Sequence, residues 1–95
     1  MTFTNKLKGY SLEFTTQANK DLKKLEKKDS LKISQKLSAL ITGSQNLDIK
    51  KLEGESIPKY RLRCGDFRII YEVIEHRIVV VVVEIGHRKN IYRRY

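Results

Sequence analysis

The sequence predicts an α+β fold with element order β-α-α-β-β-β, an N-terminal helical hairpin packed on one face of a small, mainly antiparallel sheet. Residues 59–95 contain three runs rich in Val, Ile, Tyr and Phe, separated by short turns at Cys64-Gly65-Asp66 and Glu75-His76. That is how an antiparallel meander reads in sequence. Residues 16–41 carry apolar residues at helical spacing, and residues 10–14 alternate as a strand does. Because the helices come together and the last three strands come together, both helices fall on one side of the sheet and the other side is left open.

Taken in order, Tyr10, Leu12 and Phe14 alternate with Ser11 and Glu13, which suits a short first strand at a sheet edge. Thr15 or Thr16 is a natural helix N-cap, and Ala18, Leu22 and Leu25 fall at i, i+4 and i+7, so a first helix is expected over 16–28. Asp29-Ser30 reads as a break and a new cap. A second helix then carries Ile33, Leu37, Leu40 and Ile41 on one stripe, with Gly43 as its C-terminal stop. Residues 44–58 read as a surface loop with a short turn near 47–52, anchored by Leu52 and Ile57. Pro58 disfavours helix before it and leads into the next strand. In that strand Arg61 and Arg63 point one way and Tyr60, Leu62 and Cys64 the other; in the following one Arg68, Ile70 and Glu72 oppose Phe67, Ile69, Tyr71 and Val73. One face should therefore bear arginine and the other should be core. The last strand, 77–85, holds five successive valines, and a run without alternation predicts burial on both faces and an interior position. No repeat, low-complexity tract or sign of a second domain interrupts residues 1–95, so one domain is expected.

The net charge of +9 favours anionic partners, nucleic acid first. Its distribution is more informative than its size. Residues 1–58 hold eleven Lys and no Arg, whereas 59–95 hold all seven Arg and two Lys. A guanidinium offers a planar fork of donors matched to phosphate, and an ammonium is a hydrated point charge. The single Cys64 has no internal disulfide partner, and its parity places it among the core residues. The longest apolar stretch, 78–83, is far too short to span a membrane, and no apolar N-terminal run suggests a signal peptide, so no membrane partner and a cytoplasmic location are expected.

The ordered series K-Y-R-L-R, G-D-F-R-I-I-Y-E-V and the valine strand closing in E-I-G-H-R-K-N-I-Y resembles the RelE branch of the RelE/ParE toxin superfamily. Length and element order agree along the whole chain, including K-L-E-G at 51–54, and the sharp part lies in the last third. The resemblance implies a toxin of a type II toxin–antitoxin pair that cleaves mRNA on the ribosome without a cofactor. It also implies neutralisation by a small, acidic, RelB-like antitoxin. By the same resemblance Arg61 and Arg63 line the site, Arg68 is the arginine before the I-I-Y run, Arg88 the arginine after the glycine, and Tyr92 the near-terminal tyrosine. The best-known member of the family has lysine where this chain has Arg61 and Arg63. Arginine stays protonated at any useful pH, which suits electrostatic stabilisation and not proton transfer.

The residues themselves support metal-independent RNA cleavage. A 2′-OH attacks the adjacent phosphate, and preorganised cations stabilise the charge that grows there. Arg61, Arg63, Arg68 and Arg88 are the candidates, with Lys59, Lys89, Arg93 and Arg94 tracking the RNA backbone. His87 is a candidate proton carrier because imidazole titrates near neutrality, and Tyr92 either donates a proton to the leaving oxygen or stacks on a base. Glu72 and Glu84 are expected to hold arginines in place, Glu72 with Arg68 and Glu84 with Arg88. The aspartates are scattered and no His or Cys pair has ligand spacing, which argues against a metal nuclease. Two alternatives share the fold or the charge: a ParE-like inhibitor of DNA gyrase, and a catalytically inactive basic module that binds RNA or ribosomes.

Overall fold

The computed structural model describes residues 6–54 and 56–91. Its elements are β1 (Ser11–Phe14), α1 (Thr16–Lys23), α2 (Lys27–Ile41), β2 (Ile49–Lys51), β3 (Lys59–Cys64), β4 (Phe67–Ile74), β5 (Val79–His87) and the short α3 (Arg88–Ile91), with a 3-10 turn at Glu75–Arg77. The strands form one sheet in the order β1-β5-β4-β3-β2. β1 lies at the edge, parallel to β5, and the other pairings are antiparallel. α1 rests against β5 and β1 and α2 against β3, giving the expected α+β architecture with a mainly antiparallel sheet.

The core lies between helices and sheet. Ala18 from α1 and Ile33, Leu37 and Leu40 from α2 meet Leu62, Cys64, Ile69, Tyr71, Val80, Val82 and Ile85, all buried. The predicted alternation therefore holds: Leu62 and Cys64 on β3 and Ile69 and Tyr71 on β4 face the helices. Tyr60 stacks on Tyr71 with ring centroids 5.4 Å apart, closing the same side.

Helix boundaries follow capping chemistry more than apolar spacing. Thr15 caps α1, its hydroxyl accepting from the Ala18 N–H at 3.0 Å. α1 ends at Lys23, five residues short of expectation, and Leu25 packs on the core from the link between the helices. Asp29 and Ser30 do not break the chain: they occupy the first turn of α2, where a carboxylate suits the helix dipole and the Ser30 hydroxyl donates to the Lys27 carbonyl at 3.0 Å. Gly43 ends α2 as anticipated. Its φ of +87° and the 3.0 Å bond from the Ser44 N–H back to the Ala39 carbonyl form a left-handed helix stop.

Two further features depart from expectation. The stretch read as a loop contains the edge strand β2, which pairs Ile49, Lys50 and Lys51 with Leu62, Arg61 and Tyr60. Leu47 and Ile49 anchor it to the core, whereas Ile57 is exposed. The last strand is also shifted, running to His87, and it carries a β-bulge. Tyr71 pairs with Val82 but Ile70 pairs with Glu84, so Val83 is the extra residue. From Val82, strict alternation would send Glu84 into the core and Ile85 out of it. The bulge reverses this: Ile85 joins the core and Glu84 moves to the other face. α1 secures the bulge. The Thr15 hydroxyl donates to the Val83 carbonyl at 2.6 Å, the Thr15 N–H donates to the Val82 carbonyl at 3.0 Å, and the Ile85 N–H donates to the Asp21 carboxylate at 2.9 Å.

A candidate phosphate-binding face

On β3 the residues that alternate away from the core are Lys59, Arg61 and Arg63. Register carries this set across the sheet. Lys59 faces Glu72, Arg61 faces Ile70 and Arg63 faces Arg68 on β4, while Ile70 and Arg68 face Glu84 and Gly86 on β5. Lys50 of β2 lies beside Arg61. Cross-strand partners share a face, so three arginines, two lysines and two glutamates surround Ile70 on the side away from the helices. Ile70 is fully buried there. Long arginine side chains cover apolar surface with their methylene stems while keeping their charged heads on top, and Arg61 is positioned to do so.

The three arginines are held differently. Arg61 is mostly buried, with 13% of its side chain exposed, and its Nη2 donates to Asp48 Oδ1 at 2.9 Å. Arg63 is half exposed, and its Nη1 lies 3.6 Å from Asp48 Oδ2. One carboxylate thus spans both guanidinium groups. Its backbone position is fixed independently, because the Arg63 N–H donates to the Asp48 carbonyl at 3.0 Å. Arg68, expected as an accessible cation, is buried at 3% exposure. Its Nη1 donates to the carbonyls of Gly65 at 2.8 Å and Phe67 at 3.0 Å, which ties the guanidinium to the β3–β4 turn.

Arg88 stands at the rim of this face. It is exposed, and its N–H donates to the Asp66 carbonyl at 2.8 Å, fastening the start of α3 to the turn that holds Arg68. Lys89, also exposed, follows it. His87 does not join the arginines. It pairs with Phe67 across the strands, in edge contact at 5.9 Å and 77°, on the helix side of the sheet, and its Nδ1 accepts from the Lys89 N–H at 3.4 Å. Parity explains the separation, since His87 is one residue from Gly86, which faces Arg68. Glu84, expected beside Arg88, instead faces Ile70 in the middle of the face. The Tyr92, Arg93 and Arg94 candidates lie outside the described residues.

Asp48 is the site residue that sequence reasoning missed. The signal was present: Leu47 and Ile49 alternate with Asp48 and Lys50, a period-two pattern in a stretch taken for a loop. Elsewhere, burial pushes the Cys64 thiol up, an effect partly offset by Lys36 and Lys32. Burial likewise raises the Tyr71 phenol, and the neighbouring Tyr60 adds to the shift. Among the described residues no three His, Cys, Asp or Glu gather as a metal site, and no helix is long and apolar enough to cross a membrane.

Comparison with known proteins bears on the family and the fold. The family described as "ParE toxin of type II toxin-antitoxin system, parDE" matches residues 12–92. The mRNA interferase toxin RelE of Escherichia coli (strain K12) is 31% identical over 83 residues, 86% of each chain. The toxin–antitoxin complex RelBE2 from Mycobacterium tuberculosis superposes with a TM-score of 0.76 at 25% identity, covering 90% of this chain and 99% of the other. The isolated Escherichia coli RelE toxin gives 0.68 at 29% identity, covering 90% and 94%. With a family match along most of its length, a RelE relative above 30% identity and the same fold, the chain belongs to the RelE/ParE superfamily of type II toxin–antitoxin toxins.

Proposed function

We propose that this toxin is a ribosome-dependent mRNA endonuclease that acts without a metal ion and so inhibits translation in the cytoplasm. The observation that carries the reading is the β3–β4 register, which puts Arg61, Arg63 and Arg68 on one sheet face opposite the helices. Arg63 and Arg68 are direct cross-strand partners, and like charges so placed repel one another. A face that keeps them together favours an anion.

In the proposed reaction the 2′-oxygen attacks the adjacent phosphorus and the bond to the 5′-oxygen breaks. A 2′,3′-cyclic phosphate and a 5′-hydroxyl result; one proton leaves the 2′-hydroxyl and one reaches the departing oxygen. Arg61 and Arg63 bind the phosphate and stabilise the charge that develops on it. Arg68 supports them from beneath by fixing the β3–β4 turn, and Arg88, Lys59 and Lys89 guide the flanking backbone. His87, on the far face, is given no step. Tyr92 as proton donor or stacking partner, and Arg93 and Arg94 as backbone contacts, rest on sequence alone. The partner that restrains the activity is a small acidic RelB-like antitoxin. Relatives of this fold are described as RelE–RelB complexes, which supports that pairing.

A second reading has one specific observation in its favour: the family that matches is described by its ParE members. On that reading the protein inhibits DNA gyrase and cuts nothing. Mapping mRNA 5′ ends in a translating extract separates the two. Cuts within ribosome-bound message that vanish in Arg61→Ala and Arg63→Ala support the nuclease. Intact message together with stalled gyrase–DNA complexes supports the inhibitor.

A further inference from the structure

Asp48 has no part in the chemistry above, yet it contacts two members of the arginine set, the mostly buried Arg61 and the half-exposed Arg63. Its two carboxylate oxygens go to different guanidinium groups, Oδ1 to Arg61 at 2.9 Å and Oδ2 to Arg63 at 3.6 Å. A carboxylate bridging two arginines in this way occupies the donors that a phosphodiester's two non-bridging oxygens would need. Its side chain is 52% exposed, so it can leave without opening the core. The bond from the Arg63 N–H to the Asp48 carbonyl keeps the backbone of residue 48 in place when the side chain moves.

We infer that Asp48 is a positioning residue that acts through Arg61 and Arg63: it stands in for the RNA phosphate in the resting toxin, keeping the two guanidinium groups fanned for an anion, and yields to the phosphate on binding. The catalytic part rests on the nuclease reading; the exchange of carboxylate for phosphate does not. Two effects of removing the carboxylate then oppose each other. RNA no longer competes with an internal anion, so it binds more tightly. The arginines are no longer held at a fixed separation, so the transition state is stabilised less well.

The test uses the full chain, a short single-stranded RNA as probe for affinity, and ribosome-bound message as substrate for cleavage. Asp48→Asn should bind the RNA about twofold to fivefold more tightly, in line with the loss of one partly exposed ion-pair competitor. It should cleave at saturating substrate about tenfold more slowly, a single positioning contact being worth less than a direct phosphate donor. Asp48→Glu, which restores the charge on a longer arm, should return affinity to the wild-type level and leave cleavage slow. A purely structural residue would lower affinity and rate together, and a simple repulsive charge would raise both when removed. Unchanged or weaker RNA binding by Asp48→Asn, with an unaltered melting temperature, overturns the inference. If the wild-type toxin cuts no message the nuclease reading falls, and the affinity comparison still decides whether carboxylate and phosphate compete.

Discussion

Arg63 and Arg68 face each other across two strands, and the same side-chain type does different work at the two positions. Arg63 is half exposed and its ion pair with Asp48 is at 3.6 Å, so replacing it disturbs little packing. Arg63→Ala should leave unfolding free energy within about 0.5 kcal/mol of wild type, while message cleavage falls by roughly 10² to 10³, the usual cost of one preorganised donor. Arg68 is buried and holds the carbonyls of Gly65 and Phe67. Arg68→Ala strands those acceptors and should cost about 1–3 kcal/mol, read as a melting temperature lower by roughly 4–8 °C for each kcal/mol in a domain of this size. Thermal unfolding beside cleavage assays checks both, and an Arg68→Ala protein that melts with wild type refutes the structural role. The side on which each arginine lies was legible, because alternation fixes it. How deep Arg68 sits was not, because depth is set by the β3–β4 turn, which brings the carbonyls of Gly65 and Phe67 onto the guanidinium.

Among the elements, β5 decides what the arginine face contains, and α1 decides β5. β1 stops pairing at Val82, so on that side the next backbone groups of β5 have no strand beside them. The Thr15 hydroxyl takes the Val83 carbonyl and the Asp21 carboxylate takes the Ile85 N–H, while Gln17 Nε2 donates to the other Asp21 oxygen at 2.8 Å. Asp21→Ala leaves the Ile85 N–H without its acceptor and should cost about 1–3 kcal/mol, with faster amide exchange at Ile85 than at Val80. Asp21→Asn, which keeps an oxygen acceptor, should recover most of that protection. Exchange at Ile85 unchanged by Asp21→Ala would show that the bulge holds itself. This is also where sequence reading reached its limit. Five valines in a row announce an interior strand, but a bulge within them depends on contacts from residues 15 and 21, far away in sequence. The edge strand β2 escaped for a related reason: its alternation from Leu47 to Lys50 is short and lies within a longer stretch that reads as a loop, and it is a strand because β3 offers it an edge. The helix order, the meander and the core side of β3 and β4 were legible because each rests on several residues at regular spacing.

For the molecule as a whole, charge and burial together set when the fold fails. Many lysines lie on helix surfaces and the arginines of β3 lie on the opposite sheet face, so an acidic antitoxin segment covering that face should bind less tightly as salt rises. Titration of the complex between 0.1 and 0.5 M salt, marking about a twofold drop in screening length, would expose a purely apolar interface by its indifference. Alkaline pH probes the core instead. Burial raises both the Tyr71 phenol and the Cys64 thiol above their ordinary values. Each group is neutral when protonated, so above its ordinary value the unfolded chain releases a proton that the folded chain retains. Fewer protons are then bound in the unfolded state than in the native one, and stability falls as pH rises. Their contribution is fully present below about pH 8.5 for the thiol and about pH 10 for the phenol, and is lost progressively toward the raised native values. Tyr71→Phe retains the ring that stacks on Tyr60 and removes the ionisable hydroxyl. Urea unfolding at a series of pH values from about 9 to about 11, roughly one unit to either side of the phenol's ordinary value, should therefore give a flatter decline for Tyr71→Phe than for wild type. Lysine deprotonation affects both proteins alike, so equal slopes would mean that Tyr71 ionises as readily in the fold as in water, against its place in the core.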